Sequence, residues 1–94
     1  MAVDTTTHSV NGLSITNNAC YGDSTSLPAY FLAAQQQDGT PSENPAKIAS
    51  AGCLCSGNNA WVGTSFYAAD STPTVGRGNM VTTNGSTYSA VPDI

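Results

Sequence analysis

The chain has 94 residues and a mass of 9.6 kDa, the size of one small domain. Only 9 % of it is charged, Lys47 and Arg77 are the sole formal cations, and the net charge is −4. This balance argues against nucleic-acid binding, which needs several Lys or Arg side chains to neutralise a phosphate backbone. The longest apolar run, Ala29 to Ala34, falls far short of the roughly 20 residues that cross a bilayer as a helix.

Leu, Ile, Val and Phe together number 15, whereas Ser, Thr, Asn and Gly number 40. So little bulky apolar surface leaves a lone chain with a small core. Neighbouring chains are then expected to supply burial, and residues 1–94 are read as one small β domain, a subunit of a larger assembly. No basic or long apolar stretch lies in Met1-Ala2-Val3-Asp4 before the polar Thr5-Thr6-Thr7. The expectation is either export without a cleaved signal, as virus particles leave a lysed cell, or a chain already processed, and Met1 favours the first.

Asn-Gly between alternating residues signals a two-residue hairpin, because a type I′ turn needs positive φ at both central positions. Asn11-Gly12 would pair Val10 with Leu13 and His8 with Ile15, putting Val10, Leu13 and Ile15 on one face and hydroxyl residues on the other. The segment from Ser26 to Gln37 reads two ways: a short helix near residues 27–36, capped by Ser26 with Pro28 in its first turn, or a buried strand over Ala29–Gln35. Regular turn signals elsewhere favour the strand.

A second ribbon is expected from Ile48–Cys55 and Ala60–Ala68, joined by the loop Ser56-Gly57-Asn58-Asn59. Pairing Cys55 with Ala60 puts Cys53, Cys55, Ala60, Val62 and Phe66 on one face. Leu54 and Trp61, and Ile48 and Tyr67, then lie on the other. Asn84-Gly85 predicts a third ribbon, with Val81 opposite Tyr88 and Thr82 opposite Thr87. No internal repeat stands out. The predicted fold is all-β, a small antiparallel sandwich or barrel-like sheet built from hairpins.

No motif names a reaction. Cys20, Cys53 and Cys55 read as buried thiols before they read as a disulfide, and a Cys3His zinc site with His8 is weaker still. An odd cysteine count would leave one thiol to cross-link neighbouring subunits. His8 has no nucleophile elbow to serve. Asp4, Asp23, Asp38, Glu43, Asp70 and Asp93 are scattered, mostly in turns, where such residues are favoured locally. Arg77 is expected to bridge to a carboxylate on another strand or chain. Asn84-Gly85-Ser86 has the form of a glycosylation acceptor, but the hairpin already accounts for its Asn-Gly pair.

Trp61 and Tyr67, with Leu54 and Ile48 beside them, are the candidate interface, since aromatic residues anchor protein contacts. No catalytic residue, cofactor or metal is assigned. The composition points to a virion structural protein at the virion surface or outside the cell: a capsid decoration or cement protein of a tailed bacteriophage. Its expected partners are the major capsid protein or copies of itself in a homo-oligomer. The alternatives are an extracellular fibre or pilus-like subunit and a small carbohydrate-binding module using Trp61 and Tyr67.

Overall fold

The computed structural model describes residues 2–4, 12–20, 25–35, 52–69 and 71–94. Every regular element among them is a strand. In chain order these are β1 (Ala2–Asp4), β2 (Ser14–Thr16), β3 (Ala19–Cys20), β4 (Tyr30–Gln35), β5 (Leu54–Ser56), β6 (Asn59–Trp61), β7 (Ser65–Tyr67), β8 (Val75–Arg77), β9 (Met80–Thr82) and β10 (Ser89–Ala90). The all-β expectation holds, and the ambiguous segment resolves as strand β4 rather than a helix.

The pairing differs from the expected hairpins. β1, β4 and β7 form one sheet, β2, β5 and β8 a second, and β3, β6 and β9 a third, all paired in parallel. Each set of three consecutive strands makes one coil, and each strand lies beside its counterpart in the coil before. The described chain is therefore a parallel β-solenoid of three coils. One antiparallel pair remains, β9 with β10.

The corner between the second and third sheets shows why the chain turns without reversing. Two residues separate β2 from β3, β5 from β6 and β8 from β9. The first of each two has positive φ: Asn17 at 56°, Gly57 at 66° and Gly78 at 61°. Glycine, and asparagine after it, tolerates this left-handed region best. The second is always asparagine: Asn18, Asn58 and Asn79. The segments Ser14–Cys20, Leu54–Ala60 and Val75–Val81 are thus three copies of one strand–corner–strand unit. This repeat escaped the sequence reading because its copies are unevenly spaced, 40 residues between the first two asparagines and 21 between the last two.

Inside the coils, like positions stack. Ile15 aligns with Cys55 and Cys55 with Gly76. Phe31 stacks on Phe66 with ring centroids 4.6 Å apart, a contact worth about 0.5–1.5 kcal/mol beyond the area it buries. Leu32, Val62, Cys53 and Ala60, each at most 2 % exposed, complete the core. The face assigned to Cys53, Cys55, Ala60, Val62 and Phe66 is buried as expected, although Cys55 and Ala60 lie in different sheets rather than opposite each other.

Of the two Asn-Gly hairpins, the one at Asn84-Gly85 needs correction, and the Val10–Leu13 and His8–Ile15 pairs of the other lie outside the described residues. Gly12 has positive φ, and β2, which follows it, pairs in parallel with β5. Ile15 is buried and Leu13 packs against the core, as their shared face requires. The Asn84-Gly85 ribbon exists with a different register: Val81 faces Ser89 and Met80 faces Ala90. Gly85 alone takes positive φ, so the turn is not type I′. The Asn84 carboxamide oxygen instead accepts from the amides of Ser86 and Thr87, both at 2.9 Å, which spreads the loop over residues 83–88.

Candidate functional site

The strongest polar constellation is the buried side of the corner. Asn58 is fully buried and bonded on all sides. Its carboxamide oxygen accepts from the Asn18 amide at 3.0 Å and from Asn18 Nδ2 at 3.1 Å. Its Nδ2 donates to the Ile15 carbonyl at 2.9 Å and to Asn79 Oδ1 at 3.0 Å. Its own amide also donates to Asn79 Oδ1, at 3.0 Å. Asn79 Nδ2 in turn donates to the Cys55 carbonyl at 3.0 Å and to the Tyr67 hydroxyl at 3.3 Å. The asparagines form a ladder along the coil axis, in which the Asn58 and Asn79 carboxamide oxygens are each used by the coil before. The ladder satisfies polar groups that burial would otherwise penalise.

Two titratable groups border this ladder. Burial pushes the Cys55 thiol up, against the opposing pull of hydrogen bonds from Tyr67 and Asn58. Burial also raises Tyr67, helped by the neighbouring Cys55. Both hold their protons well above neutral pH, so the interior of the corner is uncharged there. A thiol that resists ionisation is a poor nucleophile.

The proposed interface residues are spread over three walls. Leu54 is in β5, Trp61 in β6 and Tyr67 in β7, each half-buried, and Ile48 lies outside the described residues. They do not share one face because the corner at Gly57-Asn58 turns the chain between Leu54 and Trp61. Trp61 packs against Gly85, where an added Cβ would sit 2.5 Å from the indole ring. Its Nε1 is buried with no hydrogen-bond acceptor among the described residues.

Cys20 is exposed on β3, whereas Cys53 and Cys55 are buried, and none of the three is in a disulfide. Among the described residues no group of three His, Cys, Asp or Glu side chains could hold a metal ion. His8, Asp23, Asp38, Glu43 and Asp70 fall outside them. Arg77 pairs with Asp93 at 3.4 Å with both side chains largely exposed, so the bridge adds little stability.

The two ends of the solenoid differ. At the C-terminal end the chain doubles back: β10 pairs with β9, the Val91 amide donates to the Asn79 carbonyl at 2.9 Å, and Ile94 exchanges backbone bonds with Gly76 of β8. This tail closes the second and third sheets. Beside it, Phe66, Tyr67, Val81, Ala90, Val91 and Pro92 line a shallow groove of about 340 Å³. The coil repeat and its asparagine ladder were missed in the sequence, where the legible signal was the triplet of Asn-Asn, Gly-Asn and Gly-Asn pairs preceded by alternating strands.

No known protein family, curated protein or solved structure matches this chain.

Proposed function

We propose that the chain is a non-enzymatic virion structural protein: a capsid decoration or cement protein of a tailed bacteriophage, which bridges capsid subunits and stabilises their joints. The observation that carries this reading is the character of the solenoid wall. Its exposed positions are dominated by short hydroxyl and amide side chains, including Ser14, Thr16, Asn17, Thr64, Ser65, Thr72 and Thr74. The charged residues among those described are Asp4 and the Arg77–Asp93 pair.

Short side chains on stacked parallel strands lose little rotamer freedom when covered. Such a wall suits a broad, flat contact with another protein surface. The net charge of −4 suits the outer side of a capsid, where packaged DNA does not repel it. Filament growth by end-to-end stacking is less favoured, because the tail occupies two of the three strand edges at the C-terminal end.

Particles produced with and without the gene test the proposal. The chain is expected at many copies in purified particles, by quantitative mass spectrometry. Particles lacking it are expected to release DNA at a lower temperature. Its absence from purified particles, or equal heat resistance of the two preparations, overturns the reading.

A further inference from the structure

The N-terminal end of the solenoid is the reverse of the closed one. β1, β2 and β3 are each the last strand of their sheet, with no strand beyond them among the described residues. The Leu54 amide donates to the Leu13 carbonyl at 2.9 Å, and the Asn17 amide to the Ser56 carbonyl at 3.0 Å. Alternate residues of a parallel strand bond to the same neighbour, so Ser14 and Thr16 direct their amides and carbonyls away from β5. The ladder has the same polarity. Asn58 and Asn79 each use their carboxamide oxygen for the coil before, whereas Asn18 Oδ1 accepts from no described residue.

Open edges are usually guarded by Lys, Pro, bulges or charge, because they template pairing with another chain. Across Ala2–Asp4, Ser14–Thr16 and Ala19–Cys20 the only charged residue is Asp4, and there is no proline. We infer that this end docks on the same end of a second copy, making a closed two-fold dimer with edge strands meeting antiparallel. A partner must offer three short edges in the same three-sided arrangement, and a second copy of this end does so by construction. Its other end cannot serve, since the tail blocks β8 and β9 there. Association therefore closes at two chains rather than propagating. The inference is independent of the virion reading: a monomer would defeat it and leave the particle experiment untouched.

Light scattering on the purified full chain, with circular dichroism on the same sample, gives the test. The parent is expected at twice 9.6 kDa. Ser14→Pro removes an outward amide that bonds nothing within its own sheet, and is expected at half the parent's mass with an unchanged strand spectrum. Should that variant fail to fold, hydrogen exchange on the parent decides: Ser14 and Thr16 amides gain protection as concentration rises. A monomer with fast-exchanging amides, an open-ended polymer, a dimer that survives Ser14→Pro with its fold intact, or protection independent of concentration would each overturn the inference.

Discussion

Replacing Asn58 with Ala is expected to cost about 3 kcal/mol, the sum of a small cavity and buried partners left without their bonds. The side chain is fully buried and links all three coils, through Asn18, the Ile15 carbonyl and Asn79. A domain of this length holds roughly 5–14 kcal/mol of stability in total, so the loss is a large fraction of it. Asn59→Ala, one residue along, is the control. Asn59 is only half-buried and its amide bond to the Asn18 carbonyl comes from the backbone, which alanine keeps. Its cost is expected within about 1 kcal/mol. Urea denaturation of the two variants measures the difference; equal losses would mean that the ladder does not hold the coils together.

Gly85→Val is expected to be comparably severe, for a different reason. Position 85 has φ of +80°, which disfavours any side chain by about 1–2 kcal/mol and a β-branched one most. An added Cβ would also meet the Trp61 ring at 2.5 Å, and overpacking of that kind costs about 1–3 kcal/mol more. Gly12→Val separates the two effects. Its φ is +65° but nothing lies within 4 Å of the added atom, so only the backbone term applies. Trp61 is the single tryptophan, so its fluorescence reports on the displaced ring. The valine at 85 should shift the emission and lower the melting temperature further than the valine at 12. Identical behaviour of the two variants would show that Trp61 does not rest on Gly85.

The inward and outward faces were legible in the sequence because strands alternate with period two whatever they pair with. Ile15, Cys55, Ala60, Val62 and Phe66 are buried for that reason. Pairing direction was not legible. Asn-Gly and Gly-Asn pairs both announce a left-handed residue, yet at Asn17, Gly57 and Gly78 that residue bends the chain into the next sheet instead of reversing it. A local turn signal says that the direction changes, and not by how much. The three corner units are also unevenly spaced along the chain, so they did not register as a repeat. Trp61 and Tyr67 looked like one surface for the same reason: an antiparallel ribbon would have placed them together, and a coil places them on separate walls.

Parallel stacking of the coils underlies the buried ladder and both ends of the described solenoid alike. Proton–proton contacts by nuclear magnetic resonance test it most directly. Stacking predicts contacts from Ile15 to Cys55, from Cys55 to Gly76 and between the rings of Phe31 and Phe66. Cross-strand contacts between Cys55 and Ala60 and between Val81 and Tyr88, with the others missing, would contradict it and restore a sheet of antiparallel hairpins.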